Sequence, residues 1–219
     1  MLDIHAAMDQ YLEQNLLQDD PILEKISQAS EAAGLVPHAV TPLQAEFLAL
    51  LIRISGARTV LEIGCLGGYS AVAMARALPE DGQLVTTEID TRTAGVAEDN
   101  ITGSGFGDRI DLRVGPAMQV LDDEIAAGRT FDFIFIDADK VNHKNYLERG
   151  LKLARTGSII VADNIVRGGA VLDAGSAENS VKGVRAMMAY AATLEEVDKT
   201  ALQTVGAKGY DGMAIFRVR

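Results

Sequence analysis

The chain has 219 residues, 48% hydrophobic and 23% charged, a balance that suits one globular α/β domain and excludes a disordered, fibrous or membrane-spanning chain. Its formal net charge of −11 is opposite in sign to the footprint of a nucleic-acid or anionic-membrane binder, so a small neutral or cationic ligand is the expected partner. The one cysteine, Cys65, leaves no intramolecular disulfide, and His5, His38 and His143 are too scattered for a zinc site.

In chain order, Met1-Leu2-Asp3-Ile4-His5 carries no basic segment leading into an apolar stretch, so no secretory signal is expected and the cytoplasm is the expected location. Residues 1–57 read as a helical extension, with apolar residues at helical spacing in Ile22 to Ile26 and again in Phe47 to Ile52. Thr41-Pro42-Leu43-Gln44 is a strong helix start, because Thr41 can cap, Pro42 suits the first helical position and Gln44 completes a capping box. From residue 58 to the end, short apolar or β-branched runs alternate with helical stretches, the signature of βα units around a parallel sheet. The predicted strands are Thr59 to Ile63, Leu84 to Glu88, Ile110 to Val114, Phe131 to Asp137 and Ser158 to Asp163. Helices are predicted near 69–78, 91–103, 117–127, 142–155 and 178–193. The tail reads as two strands, Ala201 to Val205 and Met213 to Val218, joined by a glycine-rich turn over 206–212. No internal repeat or linker interrupts this, so residues 1–219 are expected to form one domain.

The first strand runs into Gly64-Cys65-Leu66-Gly67-Gly68-Tyr69-Ser70. Leu66 and Tyr69 stand where a dinucleotide fingerprint needs glycine, so the loop fits a different nucleoside. Glu88, at the end of the next strand, is placed to accept hydrogen bonds from both ribose hydroxyls. Acidic surroundings favour a cationic sulfonium over a pyrophosphate. The same glycines also read as no more than a tight turn, and Glu88 as a solvent-facing acid.

The most informative segment is Phe131 to Lys140, an apolar strand that ends in Asp137-Ala138-Asp139-Lys140. The following strand ends alike, in Asp163-Asn164. If the two strands are neighbours, Asp137, Asp163 and Asn164 meet at one rim and supply oxygen ligands for a hard divalent cation, Mg²⁺, Mn²⁺ or Ca²⁺. Asp137 or Asp139 as a helix cap, and Asp163-Asn164 as a turn, are the ordinary alternatives. A cation suits phenol chemistry: a phenol of pKa near 10 is about one part in a thousand ionised at pH 7, a deficit of roughly 4 kcal/mol. Lys140 is then placed to take the hydroxyl proton, or else is a solvated loop lysine.

These segments, Glu62 to Ser70, Gly115-Pro116-Ala117, Phe131 to Lys140 and Asp163-Asn164, resemble the cation-dependent O-methyltransferases of the caffeoyl-CoA and catechol type. The resemblance implies a Rossmann-like, seven-stranded methyltransferase sheet, mostly parallel with an antiparallel C-terminal strand, and a homodimer. It implies transfer of a methyl group from S-adenosylmethionine to one oxygen of a vicinal diol chelated by the cation. By position, Asp137, Asp163 and Asn164 match the metal ligands and Lys140 the base. Thr41, Glu62, Gly64, Ser70, Glu88, Ala117, Asp137 and Asp139 match cofactor contacts. Substrate choice is expected to lie in residues 1–40, which act as a lid, and in the loop from Ile165 to Ser176. The chain has no tryptophan, and Arg167 stands near where family members acting on plant phenolics often carry one. Residues 1–40 hold a single Lys or Arg, Lys25, a poor grip for the phosphates of a CoA thioester. A nucleotide-dependent oxidoreductase and a noncatalytic S-adenosylmethionine-binding protein are the competing readings.

Overall fold

The computed structural model describes residues 4–219; the expectation about a leader rests partly on residues 1–3, outside that range. Three helices come first: α1 (Ile4–Leu16), α2 (Pro21–Ala32) and α3 (Pro42–Ser55). The α3 start is the predicted capping box, with Gln44 N donating to Thr41 Oγ1 at 3.2 Å and Thr41 N donating to Gln44 Oε1 at 2.9 Å. Then follow β1 (Thr59–Ile63), α4 (Tyr69–Ala77), β2 (Gln83–Glu88), α5 (Thr91–Gly103), β3 (Ile110–Val114), α6 (Ala117–Ala126), β4 (Phe131–Ile136), α7 (His143–Leu153), β5 (Ala154–Asp163), α8 (Asn179–Thr193), β6 (Val197–Gly206) and β7 (Gly209–Val218).

The seven strands form one sheet in the order β3-β2-β1-β4-β5-β7-β6, with β7 antiparallel to both of its neighbours and the remaining pairs parallel. Strand β4 explains why the sheet is covered on both faces. Phe133 and Phe135 point into one apolar cluster with Leu48, Ile52 and Met74, whereas Ile134 and Ile136 point into another with Leu121, Leu147 and Phe216. All four are fully buried, each contributing on the order of 2–3 kcal/mol by area, and a run apolar on both sides is what a central parallel strand requires. The chain order reverses between β1 and β4, and a crevice opens at the carboxyl ends of these strands, where open α/β sheets bind ligands.

The tail departs from expectation. The strands are longer and the turn is only Ala207-Lys208. Gly206 and Gly212 belong to the ladder itself: a Cβ on Gly206 would lie 2.1 Å from the Asp9 carboxylate, and one on Gly212 would lie 2.6 Å from the Leu202 carbonyl. They permit close approach within strands, which a sequence pattern does not separate from turn glycine. Among the described residues no helix is long and apolar enough to cross a membrane.

Candidate active site

The glycine loop is built by contact with the next strands. Asp137 N donates to Ile63 O at 2.9 Å, and Cys65 N donates to Thr87 O at 2.9 Å. Gly64 has φ +105°, and a Cβ there would sit 2.7 Å from the Asp137 carbonyl oxygen, so only glycine lets the loop meet the end of β4. Leu66 is held in the left-handed region at φ 50°, a conformation costing about 1–2 kcal/mol for such a residue. Its amide donates to Glu88 Oε2 at 3.0 Å, while Asp90 N donates to Oε1 at 3.0 Å. Glu88 therefore braces the loop with both oxygens and keeps further lone pairs for hydroxyl donors.

The N-terminal helices close over this loop. Gly67 passes so near α2 that a Cβ would lie 2.2 Å from Ser30 Oγ. Asn100 Nδ2 donates to Gly67 O at 2.9 Å, and Ala207 N donates to Asp9 Oδ2 at 2.7 Å, tying α1 to the β6–β7 turn. Between helices and strand ends lies a cavity of about 1230 Å³, larger than a usual pocket for one small ligand and therefore roomy enough for a nucleoside cofactor and a second molecule.

Thr41, Gly64, Ser70, Glu88, Ala117, Asp137, Asp139, Lys140 and Asn164 all lie on its wall. Glu62 does not: it is fully buried behind the loop. Thr86 Oγ1 donates to Glu62 Oε2 at 2.6 Å, but Oε1 has no partner of hydrogen-bonding geometry. Burial pushes its pKa up to about 8; the Ser70 and Thr86 hydroxyls counter this, and the charges of Asp137 and Glu88 add to it. A positive charge brought near the loop would favour the ionised form of this carboxyl.

The register places Ile136 opposite Ala162, so the residues that follow, Asp137 and Asp163, lie at adjacent strand ends. Burial raises the pKa of Asp137, offset by Lys140, whose Nζ donates to Oδ1 at 2.7 Å. Burial also raises that of Asp163, and the charge of Asp137 raises it further. Asp163 lies just behind the wall and accepts from Asn164 N at 2.7 Å, with Asn164 at φ 57°. Among the described residues no three His, Cys, Asp or Glu side chains form a metal-binding group; the candidate set is two carboxylates and an amide. That set fits a hard divalent cation: all donors are oxygens, and two carboxylates raised by desolvation, one of them also by the charge of the other, are what an added positive charge relieves.

The bland roles are present too. Asp139 caps the short 3₁₀ turn Lys140–Asn142 through Asn142 N at 3.2 Å and accepts from the Tyr146 hydroxyl. Capping and wall-lining coexist in one side chain. Sequence reading singled out none of His38, Tyr146, Ser180 or Lys208 for this wall. Ser180 and Lys208 come from elements far along the chain from the motifs, and His38 and Tyr146, though near Thr41 and Asp139, carry no motif of their own.

The O-methyltransferase family model matches residues 13–217. The chain is 41% identical over 217 residues to a catechol O-methyltransferase of Niastella koreensis, covering 99% of this chain and 98% of that one. It superposes with TM-score 0.97 on an O-methyltransferase from Bacillus cereus in complex with SAH, at 43% identity and full coverage of both chains. With TM-score 0.95 it superposes on an O-methyltransferase from Streptomyces achromogenes involved in tomaymycin synthesis, in complex with SAM, at 38% identity over 100% of this chain and 99% of that one. The match sets aside the oxidoreductase reading, and with the glycine loop, Glu88 and the cavity in place, the chain belongs to the O-methyltransferase family.

Proposed function

We propose that this family member transfers the methyl group of S-adenosylmethionine to one oxygen of a vicinal dihydroxy aromatic molecule and requires a divalent cation, Mg²⁺ in the first instance. One observation supports the reading: Asp137, Asn164 and Lys140 line the cavity whose other wall is the glycine loop and Glu88, and Asp163 lies just behind Asn164 at the end of the strand beside β4. Asp137, Asp163 and Asn164 are the residues to hold the cation. When bound, the cation supplies charge that favours the phenolate, and the cofactor supplies an electrophilic methyl group.

The chain's own groups do the rest. Glu88 receives the ribose, and the loop from Gly64 to Ser70, with Thr41 and Ala117, encloses the nucleoside. The buried Glu62 carboxyl faces the positive methionine end from behind the loop. Lys140 is the group to take up the hydroxyl proton, at Nζ. The N-terminal helices act as the lid, excluding water so that phenolate and sulfonium meet in line; alignment and charge cancellation then supply the rate. No covalent enzyme intermediate is needed, and Cys65, buried with its pKa raised by desolvation, packs rather than reacts. Pairing of two copies and a cytoplasmic location complete the reading; sedimentation and fractionation test them.

A second reading, a noncatalytic S-adenosylmethionine-binding protein, draws on the capping bond of Asp139 and the Asp163–Asn164 turn. Product formation from S-adenosylmethionine and a panel of catechols, followed by mass spectrometry with Mg²⁺ and with EDTA, separates the two. Methylation that needs metal is expected. Equal methylation in verified metal-free enzyme removes the cation from the mechanism, and no product from any catechol favours the noncatalytic reading.

A further inference from the structure

The substrate end of the cavity carries positive charge that methyl transfer alone does not use. Arg167, half-buried on the wall, forms no ion pair with any described residue, and its Nε is buried with no hydrogen-bond partner. Its neighbour His143 is fully buried with both ring nitrogens unpartnered. Burial, then the charges of Lys140 and Arg167, pushes the His143 pKa down to about 3, so the imidazole is neutral and offers Arg167 no counter-charge. Lys208, in the β6–β7 turn on the same wall, is also without an ion pair among the described residues. Of the three, Lys140 forms an ion pair, with Asp137, while Asp137 and Asp163 act on Lys208 by charge alone.

The backbone is shaped to present this arginine. Arg167 sits at φ 55°, and the amides of Val166 and Arg167 both donate to Asp211 Oδ1, at 2.9 and 3.1 Å. A partly buried guanidinium with an unmet donor leaves hydrogen-bonding capacity unsatisfied, and its planar fork matches a carboxylate in two-point contact. Resting on the dihydroxy-aromatic reading above, we propose that the substrate carries a carboxylate remote from its reacting hydroxyls, received by Arg167 with Lys208 as the second positive charge. The net charge of −11 disfavours an anionic ligand at long range, so the preference rests on direct contact of the carboxylate with the guanidinium and the ammonium, where screening is weakest.

The test is calorimetric binding to enzyme loaded with S-adenosylhomocysteine and Mg²⁺, so that it does not depend on turnover. The probes are 3,4-dihydroxybenzoate, 3,4-dihydroxyphenylacetate and 3,4-dihydroxycinnamate, each against its neutral amide. The best-fitting acid is expected to bind roughly tenfold to a hundredfold more tightly than its amide. Arg167→Gln should bring that ratio close to one with S-adenosylhomocysteine affinity unchanged, and Lys208→Gln should lower it by a smaller factor. Equal binding of acid and amide, no binding of either, or a preference that survives both substitutions overturns the proposal. A CoA-thioester arm separates phosphate from carboxylate: a thioester that outcompetes the free acid, and loses that advantage in Arg167→Gln, assigns the arginine to phosphate and overturns the carboxylate. Turnover is scored separately, so acid preference without methylation refutes the reaction and leaves this recognition standing.

Discussion

The two ends of the cavity are made differently. The end that the proposed reading gives to the cofactor is strand-end backbone: Gly64, Leu66 and Glu88 are locked by bonds to β2 and by the close approach of β4, all anchored in strands buried along most of their length. The other end, which the proposed reading gives to the substrate, is assembled from separate excursions, the α2–α3 connection with His38, the loop with Arg167 and the β6–β7 turn with Lys208. Backbone geometry fixed by a packed core recognises what every reaction of the fold shares, whereas side chains on loops can change without disturbing the sheet. Asp137, Lys140, Asp163 and Asn164 lie at the seam, at the strand ends where one region passes into the other.

The comparison is sharpest at that seam. Asp163→Asn keeps volume but removes charge; turnover should fall by about a thousandfold while cofactor affinity, measured by calorimetry, changes little and the Mg²⁺ needed for half-maximal rate rises. Unchanged metal dependence would remove Asp163 from the cation site. Lys140→Ala should lower turnover by about a hundredfold or more, again with cofactor affinity nearly intact; full activity at every pH would dismiss Lys140 as the base. At the cofactor end, Gly64→Ala forces a Cβ to 2.7 Å from the Asp137 carbonyl at φ +105°. It should cost about 2–3 kcal/mol of stability and weaken cofactor binding more than substrate binding, and a melting temperature equal to the wild type's would refute the close-contact account.

The smallest effect concerns the ground beneath the substrate end. His143 is neutral when folded, with a pKa near 3, against 6.5 for an ordinary histidine. Between these values the unfolded chain binds the extra proton, so stability contributed here is complete above 6.5 and falls as the pH drops. At pH 5 the loss is about 2 kcal/mol. Thermal melts from pH 8 to pH 5 should show a shallower decline in His143→Leu than in the wild type, and parallel declines would show that the imidazole titrates freely.

Much of this was legible in the chain. The Thr41-Pro42 capping box is local chemistry, and the apolar run from Phe131 to Ile136 followed by Asp137 announces a buried strand whose first polar residue falls at the sheet edge. The long hairpin of β6 and β7 was only half visible, because Gly206 and Gly212 look like turn glycines until Asp9 and the Leu202 carbonyl are seen pressed against them. That Glu62 sits behind the loop rather than on the cavity wall was not legible, since sequence distance from a glycine loop says nothing about which side of the loop a carboxylate takes.

By itself the sequence determined the periodicities, the caps and the order of strands and helices, because those depend on neighbours within a few positions. It also supplied the oxygen-rich strand ends. Only the tertiary structure decided that β4 and β5 are adjacent, so that the charge of Asp137 raises the proton affinity of Asp163, and that Arg167 and Lys208 share the wall of one cavity with His143 buried near the arginine. Contacts between residues tens of positions apart follow from how the sheet is ordered and packed, and burial and charge at such a site are properties of that packing.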